Sequence, residues 1–415
     1  MSQRVSAGRS ETIIVTGNTE KTKPENRAFY PALDGLRALA FLMVFFQHYL
    51  GLPWGWSGVD IFFVLSGFLI TGILFDTRHD PHRVRNFYVR RTLRIFPLYY
   101  GVLIAIFALT PLLHWRFNWT WLVWPAYLGN YARFFHPYAM NGGLQRLADF
   151  EVIGRLWHHD LVLFLGHFWS LCVEEQFYLV WPWVVFGIRD RRKLLWVCAL
   201  AVPFCLVLRL VGQAFLPTWM LDKEVLYRVT PFRLDALLFG GFLALALRGE
   251  NKERYLRAAR WIFPIGALIT ISWLLFGSSG TLWHQPYVYP GWKFTWGLSA
   301  IDLISGLLIL ESLQPGTLVY KVFNLQPLRW VGRISYGAYV LHDIPHPIYW
   351  SVCSMLVKHL AGRSAGSGDA VQTIITGLTG VVALPGTLVL AWLSYRWFES
   401  PFLNLKERWT ARVID

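Results

Sequence analysis

The first long apolar run opens on Leu33-Asp34-Gly-Leu-Arg37 and closes on Gln47-His48. On a helix, Arg37 and His48 are eleven steps of 100° apart. They return to within about 20° of one face, with His48 about 16 Å further along. Asp34 falls about 40° from that stripe, and its spacing of three from Arg37 allows the two to pair. Ionised groups are strongly disfavoured in hydrocarbon, so the few present there are candidates for function. A lone core histidine is usually structural. One aligned with a charged pair in an apolar helix reads better as a neutral imidazole that takes a proton from a hydroxyl near pH 7.

A second group is Phe87-Tyr-Val-Arg90-Arg91-Thr-Leu-Arg94-Ile-Phe-Pro97, at the mouth of the third apolar run. Membrane topology alone places positive residues at such mouths. The use of arginine with no lysine favours something more specific, because a guanidinium fork grips phosphate bidentately and an ammonium does not. Arg91 and Arg94 share a helix face and suit a phosphate-bearing donor. The third group, at the outer end of the fourth apolar run, is Trp169-Ser-Leu-Cys-Val-Glu174-Glu175-Gln176-Phe-Tyr178. Glu174 and Tyr178, four apart, point the same way. Glu174 is either an interfacial carboxylate facing water or, with the helices in contact, the group that orients and charge-balances His48.

The elements that must position these residues follow from composition. The chain has 415 residues, 55% hydrophobic and only 15% charged, with a mean hydropathy of +0.39. A soluble chain carries about 25% charged residues. The apolar runs are near 20 residues long, the length that spans a bilayer core of about 30 Å. Disorder, a disulfide scaffold and a soluble dinucleotide-binding enzyme are excluded. The four cysteines, Cys172, Cys198, Cys205 and Cys353, sit in apolar runs without a CxxC pair; they read as small buried apolar residues.

Hydropathy places spans near 32–52, 59–76, 95–113, 169–187, 194–212, 232–248, 261–277, 294–312, 334–357 and 373–395. The net charge of +14 concentrates in segments flanking these runs. Putting all the basic segments on the cytoplasmic side requires that the short Trp119–Tyr131 piece, broken by Pro125 and Gly129, be re-entrant or interfacial. The expected fold class is therefore an all-α polytopic membrane protein of about ten transmembrane helices with both termini cytoplasmic. Residues 1–28 read as a polar tail lacking the apolar core of a secretory signal, 29–403 as the membrane domain, and 404–415 as a second short tail. The longest connection, about 134–168, contains His158-His159-Asp160; adjacent residues point apart and serve one ion poorly, so no metal is expected. The 22 tryptophans read mainly as an interfacial belt.

These residues resemble the acyltransferase-3 family of integral-membrane acyltransferases. The likeness rests on six ordered pieces: Leu33–Arg37 with His48; Gly58-Val-Asp60-Ile-Phe-Phe-Val-Leu-Ser66-Gly-Phe; Arg90–Pro97; Trp169–Tyr178; Ile334-Ser335-Tyr336 through His342; and Phe398-Glu399-Ser-Pro401. It covers about 30–402. The resemblance implies transfer of an acyl group, most often acetyl, from cytosolic acyl-CoA to a hydroxyl of a carbohydrate, a lipid-linked glycan or a small molecule, in the bacterial cytoplasmic (inner) membrane. It implies a catalytic His48, an acyl-CoA pair in Arg91 and Arg94, and Glu174 as the family's glutamate. Some relatives carry a further SGNH hydrolase-like domain; this chain stops shortly after Pro401, which favours a lipid-linked or small acceptor.

The expected mechanism has His48 deprotonate the acceptor hydroxyl as oxygen attacks the thioester. Glu174 or Asp60 would hold the imidazole tautomer. Arg37, Ser66 or Tyr336 would donate to the developing oxyanion. A covalent relay through His48 or Ser335 is the alternative route. The partners are then acyl-CoA, the acceptor and lipid, with no nucleic acid. A multi-helix transporter or flippase of a glycan or anionic substrate is the rival reading. It would place charges at the midplane beside broken helices and repeat between halves, and no repeat stands out.

Overall fold

The computed structural model describes residues 30–52, 54–113, 119–132, 151–156, 159–222, 224–276, 293–361 and 368–410. The whole of the tail expected at 1–28 and the His158 position thus lie outside the described residues. Helices form at every apolar run. They are α1 (Ala32–Leu50), α2 (Gly58–Asp76), α3 (Arg83–Ala108), α4 (Phe168–Gly187), α5 (Arg191–Phe215), α6 (Leu234–Ala246), α7 (Lys252–Phe276) and α8 (Leu298–Ser312). After these come α9 (Gln326–Arg333), α10 (Ser335–Leu341), α11 (His346–Ala361) and α12 (Asp369–Leu393). Among the described residues, five helical stretches are long and apolar enough to cross a membrane: Gly55–Asp76, Arg83–Leu112, Arg191–Phe215, Lys293–Ser312 and Asp369–Asn404.

One expectation changes. The span placed at 334–357 is two helices, interrupted at His342-Asp343-Ile344-Pro345. Pro345 lacks an N–H and disfavours helical geometry at the residue before it, so the chain breaks where proline dictates. The helical architecture stands, with one short antiparallel hairpin between helices, β1 (Glu151–Leu156) and β2 (His159–Phe164), in which Leu156 is opposite His159. Trp119–Val123 and Gly129–Tyr131 are single 3₁₀ turns, too short to span.

The carbonyls of that non-helical piece have partners within the fold, as backbone outside a helix requires in an apolar setting. Tyr99 and Tyr100 of α3 donate to the carbonyls of Trp124 and Pro125 at 2.7 and 2.9 Å. Gln176 of α4 donates to the Tyr127 carbonyl at 2.7 Å and to Asn130 Oδ1 at 2.9 Å.

α2 is the central element. In its most apolar stretch 78% of the residues are buried, against 28% for α3 and α5. Gly67 of α2 and Gly240 of α6 each face the other helix's backbone, so a Cβ on either would collide with it. Small residues of this kind let helices approach closely where no hydrophobic effect drives them together. α5 carries the opposite signature, with Trp196, Leu200, Phe204, Val207, Val211 and Phe215 all exposed. A contiguous apolar face of that length suits lipid and would be a liability in water.

Candidate active site

α1, α2, α3, α4 and α10 enclose a cavity of about 810 Å³, measured to its open mouth. Eight residues singled out in the sequence line it: Arg37, Ser66, Arg91, Arg94, Glu174, Tyr178, Ser335 and Tyr336. Glu175, Ser170 and Tyr339 complete its polar wall, and Val59, Phe62, Leu65 and Leu69 supply apolar surface. The sequence set the arginines at a mouth and Glu174 at the opposite one. The structure joins them because α3 begins at Arg83, so Arg91 lies about 12 Å along the helix.

Charges in the cavity are only partly matched. Arg37 pairs with Asp34 at 3.6 Å. The Arg91 guanidinium lies 4.4 Å from the centre of the Tyr178 ring, a cation–π distance. Among the described residues its Nε and the buried Glu175 Oε1 have no hydrogen-bond partner. Ser66 and Tyr178 hydroxyls bond each other, and Tyr336 donates to the Ile95 carbonyl at 2.6 Å. Arg90 is exposed and stands outside the cavity wall. Beyond the last apolar helix, the short Lys406–Trp409 helix packs on α3. Burial, and then the positive charges of Arg94, Arg91 and Arg90, push the Lys406 ammonium down to about 8.

His48 is not in this cavity. It sits at the far end of α1, where the break between α10 and α11 gathers further imidazoles. His48 Nδ1 is 2.8 Å from His342 Nε2. His342, wholly buried, places its Nδ1 2.7 Å from the Tyr339 carbonyl. Tyr49 donates to the His342 carbonyl at 2.6 Å and so fixes the break. Asp343 stands among three histidines: its carboxylate is 4.0 Å from His48 Nδ1, 3.6 Å from His167 Nδ1 and 3.4 Å from His346 Nδ1. Among the described residues no group of His, Cys, Asp and Glu is arranged to hold a metal ion.

The two regions meet at one partition. Tyr339 lines the cavity, its ring centre is 5.5 Å from that of His342, and its hydroxyl lies 2.5 Å from Ser170 Oγ.

Two expected partners of His48 are elsewhere. Glu174 faces Arg91, Arg37, Ser66 and Tyr178 in the cavity. Asp60 is bonded to Arg233 in a fully buried cluster. There Arg209 also grips Asp235 at 2.6 Å, Ser299 at 2.6 Å and the Phe232 carbonyl at 2.5 Å. Arg209, Asp235 and Asp302 lie inside the apolar runs near 194–212, 232–248 and 294–312, so their charge in hydrocarbon was the available signal. Asp343 follows His342 directly, but nothing local marks Ser170 or Tyr339.

Residues 30–396 match the family model described as an acyltransferase domain, the acyltransferase-3 type. The peptidoglycan O-acetyltransferase OatA of Listeria monocytogenes is 28% identical over 407 residues, 92% of this chain and 57% of that protein. The Bacillus subtilis protein named "Putative peptidoglycan O-acetyltransferase YrhL" is 29% identical over 356 residues, 80% of this chain and 52% of its own length. One from Staphylococcus aureus, "Putative O-acetyltransferase SACOL0978", is 26% identical over 397 residues, 92% and 58% of the two chains. The chain thus spans a little over half the length of these relatives. All three names describe acetyl transfer, which does not favour the transporter reading. No solved structure matches the chain.

Proposed function

The chain belongs to the acyltransferase-3 family, and from that premise we propose that it moves an acetyl group from cytosolic acetyl-CoA to a hydroxyl of a cell-envelope carbohydrate, with His48 as the base. The observation that carries the reading is the arginine-lined cavity. Arg91 and Arg94 face open space, and the unsatisfied Arg91 Nε is suited to a phosphate oxygen. The apolar wall of Val59, Phe62 and Leu65 suits the pantetheine arm leading toward Ser170 and Tyr339.

In this reading the thioester carbonyl reaches the partition while the acceptor hydroxyl approaches His48 from the other end. His48 takes the hydroxyl proton, the oxygen attacks the carbonyl carbon, the C–S bond breaks, and the imidazolium returns the proton to the departing thiolate. The Ser170–Tyr339 pair stands between the two entrances, so the acyl group must pass it. Carbohydrate is preferred as acceptor because the relatives above are named for peptidoglycan O-acetylation.

The test is calorimetric titration of CoA into detergent-solubilised protein, wild type beside the Arg91→Ala/Arg94→Ala double variant. Losing two charge-assisted contacts should weaken binding by about 100-fold or more. Equal affinity in the two proteins would overturn the assignment of the cavity.

A further inference from the structure

A carbonyl oxygen carries no proton. The 2.7 Å contact between His342 Nδ1 and the Tyr339 carbonyl therefore requires a proton on Nδ1. His342 is completely buried, and among the described residues Asp343 lies within ion-pair distance of His48, His167 and His346 but not of His342. An imidazolium there would be buried with no carboxylate in contact, so His342 is neutral and its Nε2 carries a lone pair. The 2.8 Å contact to His48 Nδ1 is then a hydrogen bond that His48 donates. No hydrogen bond engages His48 Nε2 among the described residues, and the side chain is 30% exposed.

We infer that His342, anchored on the Tyr339 carbonyl, holds His48 in the Nδ1–H tautomer and leaves Nε2 as its proton-accepting nitrogen. His342 is a positioning residue: it touches no reacting atom and acts through His48. The part often played by a carboxylate behind a catalytic histidine is taken here by a second imidazole wired to a backbone carbonyl. The packing keeps that wire straight. The His48 and His342 rings meet edge to edge, nearly coplanar, with centres 5.0 Å apart and planes 16° from parallel, while Phe41 and His167 press edgewise on His342. When His48 Nε2 gains a proton, the Asp343 carboxylate at 4.0 Å balances the charge without displacing His342. Arg228, His167 and His346 are the positive or titratable groups that oppose that charge.

The inference rests on the acyltransferase reading only for what Nε2 does; the tautomer itself stands apart from it. The experiment is ¹⁵N and ¹³C NMR of histidine-labelled protein in lipid, with the His48 signal assigned by its loss in His48→Gln. The expected result is an Nδ1–H ring in the wild type that reverts toward Nε2–H in His342→Phe. Acetyl-transfer kinetics run alongside: His342→Phe lowers kcat by about 10- to 100-fold with the KM for acetyl-CoA unchanged. His342→Gln, whose carbonyl can accept from His48, recovers most of the loss. An Nε2–H ring in the wild type overturns the inference even if activity depends on His48. An Nδ1–H ring in a protein that transfers no acetyl group overturns the functional reading and leaves the inference standing.

Discussion

Arg91 and Arg94 look into an opening of about 810 Å³. Arg209 and Arg233 look into carboxylates and carbonyls and are completely buried. The same side chain thus has two uses in one membrane domain, and what separates them is whether the guanidinium meets a carboxylate in a closed interior or faces open space. In the closed cluster each guanidinium has an aspartate, and removing one partner strands the other in a low-dielectric interior. In the cavity, Arg91 Nε and Glu175 Oε1 are without partners among the described residues and lie beside space that a ligand can fill. Charged residues in hydrocarbon are therefore no uniform marker of a site; Arg233 Nε and Nη1 also lack partners among the described residues, so the discriminating observation is charge next to a void.

The sharpest way to break this contrast is to remove one member of each region. Arg233→Ala or Asp60→Ala should destabilise by about 3–5 kcal/mol, enough to abolish monodisperse protein in detergent. The Arg91→Ala/Arg94→Ala protein should keep its thermal midpoint, and in turnover assays its KM for acetyl-CoA should rise by about 10-fold or more with kcat changing less. Equal loss of stability in both would show that the cavity arginines are structural too.

A smaller effect comes from Lys406. With its ammonium pushed to about 8, it is charged below that pH and neutral above. A polyanionic donor should therefore bind less well as pH rises from 7 to 9, with KM increasing about two- to fivefold. Lys406→Arg should flatten that limb of the pH profile. If the variant leaves the profile unchanged, Lys406 does not serve the donor.

The smallest effect tests the closed cluster from within. It holds three carboxylates, Asp60, Asp235 and Asp302, against Arg209 and Arg233, formally one negative charge in excess. No nitrogen or hydroxyl donor engages either Asp302 oxygen among the described residues. Asp302→Asn removes the excess and should change stability by about 1 kcal/mol or less. A collapse like that of Asp60→Ala would mean that Asp302 carries charge the arginines need.

Much of this was legible beforehand. Run length and charge gave a helical membrane protein, and motif order brought Arg37, Ser66, Arg91, Arg94, Glu174, Tyr178, Ser335 and Tyr336 forward as candidates. Helical spacing also aligned Arg37 with His48, but alignment on one helix says nothing about what faces it. Glu174 and Asp60 were equally plausible partners for His48 until α1 was seen against the α10–α11 break. That break followed from Pro345, whose effect a hydropathy window averages away. The Ser170–Tyr339 partition left no trace because a serine and a tyrosine in apolar helices are ordinary until their hydroxyls meet.

The most direct measurement of the central claim is release of CoA from labelled acetyl-CoA by purified protein, given a carbohydrate acceptor, with wild type beside His48→Ala. Turnover is expected of the wild type, with a fall of about 100-fold or more in a variant that keeps the same thermal midpoint. Wild-type turnover retained in His48→Ala would contradict it.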